Sequence, residues 1–389
     1  MQAEHLVHPF HRKLRQVRPL CLAMVLALTQ TACGLWPQRP VAKTEVARVE
    51  PVPAAQAWWT RWNDPILNQL QDRLLAQNPG VQIASAKVRQ AQAAVQASEA
   101  SLWPTVNLQP SATRSQTGNA AAVNTINLTA AMSWEIDVWG RLADAERASQ
   151  ARKAASQSDL ALARVSAQAT LVQLYVQLRA AERQLSVLSD TEAAQKRALE
   201  LTQAREEAGV SSTQDVVQAR LQWRNTQVQR LEVLSTHANL QHALAVLMGD
   251  DPLSLAWAQT GQLPAFQPLP EVISADVLKR RPDVASAQAS VLAAQASVGV
   301  AQKAFFPALN FAASTGYKSA DLANLIGSPS RLWSLGPSLV VNLVDGGARR
   351  AATEQAMGVL DQAAAAYRQT VLGALQEVQD NLVPVCPPH

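Results

Sequence analysis

Residues 79–107 read PGVQIASAKVRQAQAAVQASEASLWPTVN, and residues 282–310 read PDVASAQASVLAAQASVGVAQKAFFPALN. At an offset of 203 the two stretches align without a gap: Pro79 on Pro282, Val81 on Val284, Val88 on Val291, Val95 on Val298, Pro104 on Pro307 and Asn107 on Asn310. Alanine richness alone gives chance matches, but not two prolines and an asparagine in register. The chain is a tandem duplication, and a repeat of this kind has to be recognised before any single element is assigned.

Each copy opens with an alanine-rich helical segment, Pro65 to Leu102 and Ala275 to Phe305, whose valines recur at sevens like the seam of a coiled coil. A proline stops the helix and the period changes to two. From Val123 to Val138, Ile126, Leu128, Ala130, Met132, Trp134 and Ile136 alternate with Asn127, Thr129, Ala131, Ser133, Glu135 and Asp137. That alternation predicts a strand with one apolar and one polar face. Thr105 to Ala112, Ala308 to Tyr317 and Leu335 to Leu343 do the same less cleanly, so each copy contributes one hairpin. Each strand is near the ~9–11 residues with which a tilted strand crosses a bilayer. Read from the residues alone, these are either membrane strands or ordinary half-buried hairpins. A membrane tolerates no open sheet edge and four strands close no barrel, so the membrane reading demands oligomerisation. Three chains would supply twelve strands.

After the first hairpin, helical periodicity runs from about Arg141 to Ala208 with no proline or glycine, roughly 100 Å at ~1.5 Å per residue. Gly209-Val210-Ser211-Ser212-Thr213 turns the chain, with a glycine suited to a C-cap and hydroxyls suited to the next N-cap, and a second helix returns to about Met248. The expected fold is mainly α with a membrane β part: long antiparallel coiled-coil helices joined to four strands.

Composition agrees with that reading. Of 389 residues 48% are hydrophobic and only 16% charged, which excludes disorder and leaves alanine, glutamine and serine to build narrow helical seams. The formal charge of +4 is unevenly placed. Setting aside the four basic residues and one acid before Cys33 takes the 34 basic and 30 acidic residues to 30 and 29, a balance that gives no reason to expect nucleic acid. Arg12 to Arg18, the apolar stretch Leu20 to Leu28 and Thr31-Ala32-Cys33 read as a secretory signal over 1–32, far short of a membrane span. Cys33 resembles the acylated cysteine of a bacterial lipobox, against ordinary cleavage with an idle thiol. Cys386 is the only other thiol after the signal, so no internal disulfide is expected.

Together these features resemble the bacterial outer-membrane efflux proteins, the TolC-like channels, and among them the NodT-type lipoprotein branch. The resemblance rests on Trp62-Asn63-Asp64-Pro65-Ile66-Leu67, Asn78, Ala84 to Ala93, Glu135 to Arg141, Arg205 to Gly209 with Asp215-Val216 and Ala219, Arg280 to Val284, Phe305-Phe306-Pro307 and Leu343 to Gly347. It implies a homotrimer whose twelve strands form a β-barrel in the outer membrane and whose helices continue it as a periplasmic α-barrel. It also implies passive conduction of substrates handed over by an inner-membrane transporter through a periplasmic adaptor. No cofactor and no enzymatic activity are expected: there is no phosphate-cradling glycine loop, HExxH or nucleophile elbow, and His237 and His242 fall on different helical faces.

The resemblance makes the turn at Gly209, Ser211, Ser212 and Asp215 the adaptor-contact tip, while helix capping alone would explain the same residues. Glu135 and Asp137, on the polar face at the barrel's periplasmic end, are candidates to tune the lumen, against simple solvation. The expected segments are 1–32 signal, 33–61 lipid-anchored linker, 62–253 first repeat, 254–274 linker, 275–382 second repeat and 383–389 tail. From Pro79 to Pro252 the first copy has 174 residues and from Pro282 to His389 the second has 108. The second copy is therefore read as incomplete, with a proline-rich readthrough tail or a natural short variant as alternatives; the resemblance implies that the missing part includes the tip that seals the tunnel. A non-conducting structural lipoprotein is the competing function.

Overall fold

The computed structural model describes residues 57–252 and 280–382. The expected signal, Cys33, most of the first linker, the second linker and the tail with Cys386 lie outside the described residues.

A 3-10 turn at Trp58–Trp62 leads to α1 (Pro65–Gln77) and α2 (Pro79–Ala100), then β1 (Thr105–Ser115) and β2 (Val123–Ile136). Next come α3 (Arg141–Glu207) and α4 (Thr213–Met248). The second copy gives α5 (Pro282–Lys303), β3 (Ala308–Ser319), β4 (Arg331–Val340) and α6 (Ala348–Leu382).

The expectation of a single helix from Pro65 to Leu102 is corrected by a break at Asn78. The residue before a proline is pushed out of the helical region, and Asn78 sits at φ −59°, ψ 121°. Its side chain makes the break cheap. Asn78 N–H closes α1 on Leu74 O at 2.9 Å, its Oδ1 accepts from Val81 N at 2.9 Å to open α2, and its Nδ2 donates to Leu247 O of α4 at 2.7 Å. Freed from α2, α1 turns Leu67, Leu70 and Leu74 onto Leu171 and Leu178 of α3 and Leu244 and Met248 of α4. Each such buried aliphatic contributes roughly 1.5–3 kcal/mol. Asp64 opens α1, its Oδ1 accepting from Ile66 N and Leu67 N.

α3 has 67 residues, about 100 Å of helix. It packs on α2, α4 and α5, and α5 packs in turn on α6. The repeat explains a difference in burial. In α5, held between two helices, Val284, Val291 and Val298 are all buried; in α2, packed on α3 alone among these long helices, Val81 and Val95 are buried and Val88 is half-buried. α5 is also the one helix among the described residues long and apolar enough to cross a membrane. Its packing identifies it as the central helix of this layer.

The four strands form one antiparallel meander, β1-β2-β3-β4. The expected fourth strand, Leu335 to Leu343, is shifted to Arg331–Val340. Val340 stands opposite Ala308, the first residue of β3 after Pro307, so Val341 and Leu343 have no ladder partner. Beyond them the chain turns into α6, with Arg349 bonded to Asn342 O and Asp345.

Candidate functional site

The registers sort every strand residue onto one of two faces. Thr105 pairs Ser133, Asn107 pairs Ala131, Gln109 pairs Thr129 and Ser111 pairs Asn127; across β2, Ser133 pairs Ala312 and Glu135 pairs Asn310; across β3, Ser314 pairs Ser334 and Asn310 pairs Ser338. This face is a lattice of hydroxyls and amides, with Thr105 Oγ1 to Ser133 Oγ at 2.9 Å and Ser314 Oγ to Ser334 Oγ at 2.7 Å. The other carries Val106, Leu108, Ile126, Leu128, Met132, Trp134, Leu309, Phe311, Leu335 and Leu339. Among the described residues nothing covers it: Val106, Leu108, Trp333, Leu335 and Leu339 are 63–75% exposed. A water-soluble sheet would bury such a surface, whereas hydrocarbon solvates it at no cost.

The outer sides of β1 and β4 have no strand partner among the described residues, and each edge strand carries one proline, Pro110 and Pro337. Being the first and last of four alternating strands, they run in opposite directions. A β4 of one copy beside the β1 of another would continue the same antiparallel alternation.

Only two charges stand on the polar face within the strands, Lys318 at the end remote from the helices and Glu135 at the near end. Glu135 is engaged: Arg141 Nη2 donates to both its oxygens at 2.7 and 2.8 Å. Asp137 lies one residue past β2, and its Oδ2 accepts from Ala143 N at 2.8 Å in the first turn of α3. Both carboxylates thus serve the joint between sheet and helix. The same joint holds Trp139 stacked on Phe306 with ring centroids 5.0 Å apart, and Trp139 Nε1 donates to Pro307 O at 2.8 Å. Sequence reasoning missed Lys303, whose Nζ reaches Gly140 O and, at 2.6 Å, the buried Asp144. In the second copy Asp345 takes the capping role, accepting from Gly347 N and Arg349; the guanidinium bond above all holds its carboxyl below the usual range.

At the far end of α3, Gly209 adopts φ 75° and Val210 N bonds to Arg205 O at 2.8 Å. Ser212 caps α4: its Oγ accepts from Asp215 N, and Asp215 Oδ2 accepts from Ser212 N at 2.9 Å and from Ser211 Oγ at 2.9 Å. These bonds, the Ser212 amide first, hold the Asp215 carboxyl below its ordinary value. The expected tip residues therefore meet in one cap, and Val210 projects from it 78% exposed.

A second cluster was not anticipated. Arg179, fully buried on α3, donates to both oxygens of Glu182 at 2.8 and 2.9 Å and lies 4.8 Å from the Tyr175 ring centroid, while His237 of α4 stands 3.8 Å from Glu182. The i, i+4, i+7 spacing of Tyr175, Arg179 and Glu182 was the signal available for it. His242 is exposed one turn further on.

The family described as outer membrane efflux protein matches residues 70–250 and 273–385. The antibiotic efflux pump outer membrane protein ArpC of Pseudomonas putida is 27% identical over 362 residues, covering 89% of this chain and 73% of its own. Nodulation protein T of Rhizobium leguminosarum bv. trifolii is 29% identical over 341 residues, 84% of this chain and 72% of its own. The solved outer-membrane channel OprN superposes with a TM-score of 0.78 at 30% identity, over 85% of this chain and 76% of that one.

Proposed function

The chain belongs to the outer membrane efflux protein family, and from that premise we propose that three copies close into one passive export conduit. The chain is an outer-membrane component of an efflux system and not an enzyme. In the proposed assembly each β4 pairs with the β1 of the next copy, giving twelve strands with no open edge. The apolar face meets lipid and the hydroxyl and amide face lines the lumen. The observation that carries this reading is the two-faced sheet, uncovered on its apolar side and open at both edges. The α3–α4 hairpin extends the conduit into the periplasm, and its capped turn at Gly209 to Asp215 meets a periplasmic adaptor that receives substrate from an inner-membrane transporter. Energy enters at that transporter; the channel contributes a wet, weakly charged path. Cys33 supplies the lipid anchor, and Cys33→Ser is expected to abolish labelling by palmitate.

The test is cross-linking for a trimer followed by single-channel recording in a planar bilayer. Discrete conductance steps from the trimer support the proposal. A trimer that inserts and never conducts favours the structural lipoprotein, and a monomer overturns the proposal.

A further inference from the structure

The apolar face does not stay apolar to its outer end. Arg114, one residue from the end of β1, and Arg331, the first residue of β4, both fall on that face by register, Arg114 opposite Asn124 and Arg331 opposite Tyr317. Both are exposed and both stand at the end remote from the helices. Neither has an ion pair among the described residues, and no carboxylate stands on this face anywhere in the four strands. Beneath Arg331 lies Trp333, 75% exposed, as an interfacial aromatic lies beneath the headgroup level.

Resting on the membrane-barrel reading above, we propose that Arg114 and Arg331 bind the phosphate groups of outer-leaflet lipid headgroups. An arginine pointing sideways at the top of a hydrocarbon band meets neither lumen water nor a protein acid; the group at that depth that matches its planar fork is a phosphate ester. Closing the ring sets the β4 that begins with Arg331 beside the β1 of the next copy, which ends near Arg114. Each seam then presents two guanidinium groups to one lipid, and the lipid bridges the protein–protein joint. Lys318 of the same sheet end faces the lumen and takes no part.

The probe is fluorescent lipid A, a phosphorylated acylated disaccharide, bound to the full-length protein in neutral detergent. The expected result is binding that the double variant Arg114→Gln with Arg331→Gln weakens on the order of tenfold. Lys318→Gln should leave it unchanged, and dephosphorylated lipid A of the same acyl chains should bind wild type as weakly as the double variant. Arg114→Lys with Arg331→Lys, which keeps charge without the fork, should fall between. Equal binding by wild type and the double glutamine variant, equal binding of the two lipids, or full competition by millimolar inorganic phosphate overturns the proposal. Conductance of the wild type separates the two readings: a wild-type trimer that conducts but shows no phosphate-dependent lipid binding sinks this inference alone, and a wild-type trimer that never conducts sinks the channel.

Discussion

Tyr175 Oη donates to Asp64 Oδ2 at 2.5 Å, joining the middle of α3 to the residue that opens α1, 111 positions earlier. Asp64 holds α1 with one oxygen and α3 with the other, so the docking of α1 and the course of the long helix are one structural event. Burial first, and then this bond, pushes the Tyr175 hydroxyl up to about 12. A group whose folded pKa is raised favours its protonated form in the fold. The contribution is fully present below about pH 10, the ordinary tyrosine value, and is lost as pH rises through about 12. Tyr175→Phe, which removes the donor and leaves a carboxylate oxygen short of a partner, should cost about 2 kcal/mol at neutral pH. Urea midpoints measured from pH 8 to 12 should fall more steeply for wild type than for the variant; parallel curves would disprove the assignment.

What the sequence made legible was what periodicity encodes. Period two placed β2 within two residues at its C-terminal end, period 3.6 placed α3 and α4 nearly to the residue, and the repeat copied both onto the second half. The misplacements came where a partner decides the outcome. Asn78 ends a helix because Pro79 follows it and Leu247 O receives its amide, and only the first of these is visible in sequence. β4 ends at Val340 because β3 begins at Ala308, although Val341 and Leu343 continue the alternation. At the candidate site, alternation alone assigned Glu135 and Asp137 to the polar face. Arg141 and the Ala143 amide, which engage them, are six residues away across a turn that no pattern describes. The Arg179 cluster escaped because a charged residue in an alanine-rich helix reads as solvated until its burial is known.

Gly299 of α5 faces Asp144 of α3. A Cβ added there would stand 2.4 Å from Asp144 Oδ2, the carboxylate that Lys303 and Arg147 neutralise. Gly299→Ala should therefore displace Asp144 and cost about 1–3 kcal/mol, by the overpacking mechanism. Lys303→Met should cost about 3 kcal/mol, more than Arg147→Met, because Lys303 is the less exposed partner and also holds Gly140 O. Denaturant melts of the three variants check the order; an Arg147→Met cost equal to that of Lys303→Met would contradict it.

The capped turn separates two roles that sequence left open. Ser212→Ala removes the α4 cap and should cost about 1 kcal/mol of local stability, read as faster amide exchange over residues 211–216. Val210→Asp changes an exposed side chain outside the cap and should leave exchange and melting untouched while reducing capture of the trimer by immobilised adaptor severalfold. If Val210→Asp binds adaptor as wild type does and Ser212→Ala does not, the turn acts through capping alone and the contact lies elsewhere.

Because Glu135 is tied to Arg141, Lys318 is the one charge within the strands of the polar face that carries no ion pair among the described residues. In a closed trimer it forms a ring of three cations at the outer mouth, above a lattice of neutral hydroxyls and amides that screens neither sign. Rings of one sign at a constriction bias which ions enter. Lys318→Glu replaces +3 by −3 there without touching the ladder, since the side chain is exposed and has no ion pair among the described residues. The reversal potential across a salt gradient should shift toward cation preference, the effect should shrink as salt is raised and the Debye length falls below the lumen radius, and unit conductance in high salt should stay near the wild-type value. A reversal potential unmoved at low salt would place Lys318 outside the conducting path, and with it the assignment of the hydroxyl and amide face to the lumen would fall.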